Sequence, residues 1–183
     1  MHKIILVGLP GSGKTSAGRQ IARRFFLPFV DSDHAIEEKI GMPIKEYFSL
    51  HGEAAFRDME TATLHEIALR PEPCVLSTGG GAVLRAENRA LLRQAGTVVY
   101  LRVHPKAIYR RLRHDTQRPL LQVDDPQAKI NTLYAERDGL YREAAHHVMA
   151  AGTTSVSSLV RKIVLLLQAA GDLPQEARRP LQK

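Results

Sequence analysis

Gly8-Leu9-Pro10-Gly11-Ser12-Gly13-Lys14-Thr15 brings three glycines, a lysine and two hydroxyls into eight consecutive residues. The apolar run Lys3–Val7 precedes them, and a helical pattern follows. Because glycine has no Cβ, the N–H groups of Gly11, Gly13 and Lys14 can close around phosphate oxygens. The following helix turns its positive dipole end toward the same phosphates. Lys14 is placed to reach the β- and γ-phosphates, and the Thr15 hydroxyl to ligate Mg2+. Ser12 and Ser16 fall within the same nucleotide-binding stretch. The loop specifies a nucleoside triphosphate and leaves open what receives its phosphate.

Four other groupings could carry the second half of a reaction. Asp31-Ser32-Asp33 follows the apolar run Leu27–Val30. In an extended chain, residues two apart face the same side, so both carboxylates can point at one site. One would serve a metal–phosphate site, usually through water, and the other would bind an acceptor hydroxyl. Alternatively, Ser32 or Asp33 simply caps the next helix. In Phe56-Arg57-Asp58-Met59-Glu60, Arg57 and Glu60 are spaced to pair on one helix face. The pair is either a surface ion pair or an arginine oriented to grip an anion. Thr78-Gly79-Gly80-Gly81 follows a strand and allows close backbone approach to a ligand. The basic stretch Arg110–Leu120 contains Arg111 and Arg118. Part of it suits a solvated helix face, and Arg118 suits a mobile lid that delivers an arginine to the transferring phosphoryl group. Arg137 and Tyr141, four apart, would alone be an ordinary packing pair.

The elements that position these residues alternate. Strands are expected at Lys3–Leu9, Leu27–Val30, Cys74–Ser77, Thr97–Val103 and His146–Ala150. Helical patterns run over Thr15–Phe25, Ser32–Ile40, Pro43–Leu50, Glu53–Leu69, Arg85–Gln94, Pro105–Arg113, Pro126–Ala144 and Ser157–Ala169. Such alternation predicts an α/β fold, a parallel sheet covered by helices on both faces. Ligands of these sheets bind at the carboxyl ends of the strands. Gly171–Lys183 has no apolar periodicity and reads as a poorly ordered tail behind a domain of residues 1–170.

Composition narrows the partners. The 183 residues carry a net charge of +7, with 44% hydrophobic and 25% charged residues. Aromatic content is 5% and tryptophan is absent, which disfavours a stacking platform for nucleic acid. The basic balance instead suits anionic small molecules. No apolar run is long enough to span a bilayer, no signal-peptide core is present, and a cytoplasmic protein is expected. Cys74, the single cysteine, reads as a buried core thiol. A regulatory GTP switch would need an Asn-Lys-x-Asp guanine motif, and the sequence has none.

Taken in order, Gly8–Thr15, Asp31–Asp33, Phe56–Glu60, Gly79–Gly81, Arg118–Leu120 and Arg137–Tyr141 resemble the motif set of the shikimate kinases. The resemblance covers about Lys3 to Leu167. It implies a three-layer P-loop NTPase fold of the nucleoside-monophosphate-kinase-like type, with a five-stranded parallel sheet flanked by helices and a mobile lid. It further implies transfer of the ATP γ-phosphoryl to the 3-hydroxyl of shikimate, a step in chorismate and aromatic amino-acid biosynthesis. Lys14, Asp33 and Arg118 would be catalytic. Thr15 and Asp31 would hold Mg2+, Asp31 through water. Arg57 and Arg137 would hold the shikimate carboxylate, with Gly79, Gly80, Gly81, Phe48, Phe56 and Glu60 around the substrate. Arg118 would lie on the phosphates and Arg111 beside adenine, with a further adenine contact near Gly152–Ser155. The expected partners are ATP and shikimate, with neither nucleic acid nor membrane, and a monomer is expected. Many relatives carry Lys-Ser where this chain has Lys14-Thr15, and either hydroxyl can ligate Mg2+. The rival reading is another P-loop small-molecule kinase, acting on gluconate or a nucleoside monophosphate.

Overall fold

A computed structural model describes residues 2–113, 123–152 and 155–175. Along the chain run β1 (Lys3–Val7), α1 (Lys14–Phe25), β2 (Phe29–Asp31), α2 (Ser32–Ile40), α3 (Ile44–Leu69) and β3 (Val75–Ser77). They are followed by α4 (Ala86–Ala95), β4 (Gly96–Val103), α5 (Pro105–Leu112), α6 (Pro126–Ala144), β5 (His147–Ala151) and α7 (Val156–Ala169). The strands form one five-stranded parallel sheet in the order β2-β3-β1-β4-β5.

Every residue of β1 and β3 is buried, as expected of strands covered on both faces. The two-residue period of β1 assigns its side chains to opposite layers. Ile4 and Leu6 join Ile21 of α1 and the stripe Leu159, Val160, Ile163, Val164 and Leu167 of α7. Ile5 and Val7 join Leu64 and Ile67 of α3, Leu92 of α4, and Ile130 and Tyr141 of α6. The expected three-layer α/β architecture is thus present. Cys74 is buried in the core.

The two helices expected over residues 43–69 are both present within α3, separated by a break at Gly52, whose φ of 79° and ψ of 174° are not helical. Two local readings change. First, β2 ends at Asp31, and Asp33 lies in the first turn of α2 rather than on an extended run. The Asp31 carboxylate accepts the Asp33 N–H at 3.2 Å, so Asp31 itself caps the helix. Second, the stretch from Gly171 is not a loose tail at its start. Gly171 turns the chain with φ 82°, the N–H groups of Asp172 and Leu173 donate to Leu167 O, and Leu173 is 3% exposed. The expected lid with Arg118 lies in 114–122, outside the described residues.

Candidate active site

The central strands β1 and β3 end beside each other, and the loops that leave them meet at one cleft of about 580 Å³. Gly11, Gly13, Lys14, Thr15 and Ser16 line its phosphate-loop side. Gly13 is the N-cap of α1 with φ 97°, a left-handed conformation that lets the loop turn directly into the helix. Lys14 is 7% exposed, and its Nζ donates to Gly8 O at 2.8 Å and Leu9 O at 3.0 Å. The ammonium thus lies folded over the loop carbonyls, within the arc that the glycines form. Ser12, expected to contact nucleotide, is fully buried and lines no part of the cleft. Its N–H is used on Leu9 O at 3.1 Å. Arg111 lines the cleft and donates to Gly11 O at 3.3 Å.

Beside the loop stand the two aspartates, brought together by the helix cap. Thr15 Oγ1 donates to Asp31 Oδ2 at 3.0 Å, and Ser77 Oγ lies 3.4 Å from Thr15 Oγ1. This is an all-oxygen set with one carboxylate, the type that suits a hard divalent cation also held by phosphate oxygens and water. Among the described residues no group of three His, Cys, Asp or Glu could enclose a metal unaided. Asp33 lines the same cleft. Burial, then the charge of Asp31, pushes its carboxyl up to about 6, with Lys14 pulling the other way.

The remaining residues surround the turn Gly79–Gly81, next to the cleft; of this turn, Gly80 lines the cleft itself. Arg57 Nη1 donates to Glu60 Oε2 at 2.6 Å, and Glu53 accepts from the other side of the guanidinium. Glu60 is 1% exposed, so the Arg57–Glu60 pair is no surface ion pair. Burial raises the Glu60 carboxyl, and the Arg57 charge opposes the rise. Arg57 also covers the Phe56 ring at 5.0 Å, and Phe56 packs on Phe48 at 4.8 Å. From α6, Arg137 Nη1 donates to Gly80 O at 3.1 Å, and Tyr141 Oη donates to the same carbonyl at 2.5 Å. Two spacings that looked independent in sequence, Arg57–Glu60 and Arg137–Tyr141, therefore meet at one turn.

Two contributions had no local signal strong enough to single them out. Ser32 is fully buried, and its Oγ accepts the Gly79 N–H at 2.9 Å, tying the aspartate loop to the glycine turn. Its place between two aspartates suggested only a cap. Ser155 and Val156 line the far wall of the cleft at the start of α7. Ser155 ends the 152–155 stretch expected near adenine, where no single residue stood out, and Val156 follows it.

A glycine loop between a central parallel strand and a helix, a hydroxyl–carboxylate pair beside it, and a second cationic site against the same turn define a P-loop kinase with a small-molecule acceptor. The sequence model of a family described as "Shikimate kinase" matches residues 10–168. The chain belongs to the shikimate kinase family. A shikimate kinase of Burkholderia pseudomallei (strain 1710b) is 52% identical over 168 residues, 92% of this chain and 91% of that protein. The solved shikimate kinase from Acinetobacter baumannii in complex with shikimate superposes with a TM-score of 0.87 at 42% identity, covering 93% of this chain and 94% of that one. A gluconokinase from Sinorhizobium meliloti, at 19% identity and a TM-score of 0.55 with 92% and 93% covered, shares the fold alone.

Proposed function

We propose that this chain transfers the γ-phosphoryl group of ATP to the 3-hydroxyl of shikimate, giving shikimate 3-phosphate and ADP. The observation that carries this reading is the Gly79–Gly81 turn. One side of it borders the phosphate cleft, and two arginines, Arg57 and Arg137, stand against it beside Asp33. Two guanidinium groups suit the single carboxylate of shikimate, and Asp33 suits its ring hydroxyls. A nucleoside monophosphate, which has no carboxylate, would satisfy this set less well; gluconate has one carboxylate and several hydroxyls, and against it the family to which the chain belongs favours shikimate.

Phosphoryl transfer passes through a loose transition state, so the protein's work is positioning and charge neutralisation. Lys14 would leave the loop carbonyls for the β- and γ-phosphates, and Gly11, Gly13, Thr15 and Ser16 would surround them. Thr15 and Asp31 are the residues that would hold Mg2+, and the ion would offset phosphate charge. Asp33, with its carboxyl at about 6, would accept the reacting hydroxyl's hydrogen and orient its oxygen toward the γ-phosphorus. Glu60 would hold Arg57 in place, and Phe48 and Phe56 would wall the acceptor. Arg111 and the Ser155–Val156 corner would border the base. The resemblance assigns Arg118 to the transferring phosphate.

The reading places the chain in the pathway to chorismate. Among the described residues no helix is long and apolar enough to cross a membrane. The deciding experiment is a coupled ADP assay. ADP release should require both shikimate and Mg2+, and gluconate or nucleoside monophosphates in place of shikimate should leave only background. Release that ignores shikimate would overturn the proposal.

A further inference from the structure

Asp138 follows Arg137 on α6 but faces another partner. The Tyr100 hydroxyl donates to Asp138 Oδ1 at 2.8 Å, and Arg102 Nε donates to the same oxygen at 2.9 Å. Arg142 Nε donates to Oδ2 at 2.8 Å. Tyr100 and Arg102 stand two apart on β4, so both present to α6 from one face of the sheet. Partial burial pushes the Asp138 carboxyl up. Hydrogen bonds from Arg142, Arg102 and Tyr100 outweigh it and hold the group at about 2, so it is ionised at every working pH.

The consequence reaches the acceptor side through one turn of helix. Tyr100 is 1% exposed, and its ring stacks on Tyr141 with centroids 4.9 Å apart. Tyr141 and Arg137 both donate to Gly80 O. Arg137 Nε is buried without a hydrogen-bond partner among the described residues. The Gly80 carbonyl at 3.1 Å and the neighbouring Tyr141 hydroxyl hold the Arg137 guanidinium, so its direction depends on how α6 is rotated about its axis. The Asp138 contacts bear on that rotation from the next position along the helix, about 100° around its axis. Without them, two arginines would be left side by side and a buried phenol would lack an acceptor.

We propose that Asp138, gripped by Tyr100 and Arg102, is a positioning residue that sets the rotation of α6 and so aims Arg137 at the acceptor's carboxylate. The proposal rests on reading Arg137 as an acceptor-binding residue. It is tested by initial-rate kinetics of the full chain with shikimate and ATP varied in turn, on Asp138→Asn, Tyr100→Phe, Arg137→Ala and the double variant of positions 137 and 138. Asp138→Asn keeps the shape and removes the charge. It should raise the shikimate KM about tenfold, with kcat and the ATP KM within about threefold, and Tyr100→Phe should show the same split more weakly. In the Arg137→Ala background, Asp138→Asn should add no more than about twofold, because its effect passes through Arg137. Ile163→Val, a core change on the sheet's other face, supplies a variant that is less stable but keeps its shikimate KM. If Asp138→Asn does not fold, Tyr100→Phe carries the test. An unchanged shikimate KM in Asp138→Asn and Tyr100→Phe, or effects that multiply fully with Arg137→Ala, would overturn the proposal while leaving the acceptor reading intact. An unchanged shikimate KM in Arg137→Ala would overturn both.

Discussion

The Asp33 carboxylate fills the space that a Cβ on Gly79 would occupy. The next two glycines repeat the arrangement with different neighbours. A Cβ on Gly80 would lie 2.7 Å from Cδ of Pro10 in the phosphate loop, and one on Gly81 would collide with the Arg57 guanidinium. Three consecutive glycines thus each leave room for a residue of a different motif. The phosphate loop, Asp33 and Arg57 are packed against one stretch of backbone.

This arrangement makes the neighbouring glycines experimentally separable. Gly81→Ala meets the end of a flexible side chain, so Arg57 should shift and the fold survive. We expect the shikimate KM to rise about tenfold and the ATP KM to stay within about twofold, read by initial rates. Gly80→Ala meets the rigid Pro10 ring and must move the phosphate loop. It should raise the ATP KM as well and cost stability on the order of 1–3 kcal/mol. Identical kinetic signatures for the two variants would contradict the division of contacts.

The Asp33 carboxyl, raised by burial from 3.8 to about 6, predicts two pH dependences of opposite sense. Binding the hydroxyl needs the carboxylate, so kcat/KM for shikimate should fall as pH drops through about 6. Stability runs the other way. The folded state holds the proton more tightly than the unfolded chain, so this contribution is fully present below 3.8 and is lost as pH rises through about 6. Asp33→Asn, which cannot ionise, should therefore melt a few degrees higher than the parent at pH 8, with the gain vanishing near pH 4. It should also be nearly inactive. Thermal melts across pH 4–8 check the first claim and the coupled assay the second.

Much of this site was legible because its motifs are short and local. The odd–even alternation of Ile4 to Val7 and the α7 stripe needed only periodicity, and both layers follow from them. The aspartate pair was located on a mistaken geometric ground. Its two carboxylates share a cleft because Asp31 caps the helix that carries Asp33, a choice between strand and helix turn that spacing alone leaves open. Leu173, one apolar residue beyond a helix, has no period to reveal its burial. The Tyr100–Asp138 contact joins residues 38 apart, and nothing local links them. What escaped the sequence is thus tertiary, and it concerns what holds the motifs still rather than the motifs themselves.

Leu173 gives a stability test that leaves the chemistry alone. Its side chain belongs to the core layer built from α1, α7 and one face of the sheet, and it lines no part of the cleft. Leu173→Ala should cost about 2–5 kcal/mol by loss of buried surface and the cavity left behind. Denaturant unfolding should show the loss, while kcat and both KM values at 25 °C stay near those of the parent. A parental midpoint would mean that the turn after Gly171 contributes nothing to the fold.

The Thr15–Asp31 pair separates a metal role from a capping role. Asp31 both accepts from Thr15 Oγ1 and caps α2 through the Asp33 N–H. Asparagine caps a helix about as well as aspartate, so Asp31→Asn removes the charge and keeps the cap. The melting temperature should then change little. A metal site that loses its one carboxylate holds the cation more weakly, so the Mg2+ concentration for half-maximal rate should rise about tenfold or more. Excess Mg2+ should restore much of the rate, with the shikimate KM near that of the parent, and chelation should abolish the rate in both proteins. Thr15→Ser, which retains the hydroxyl, should behave like the parent, whereas Thr15→Val should not be rescued at any Mg2+ concentration. A rate loss in Asp31→Asn that Mg2+ cannot relieve would point instead to a direct part for Asp31 in orienting Asp33.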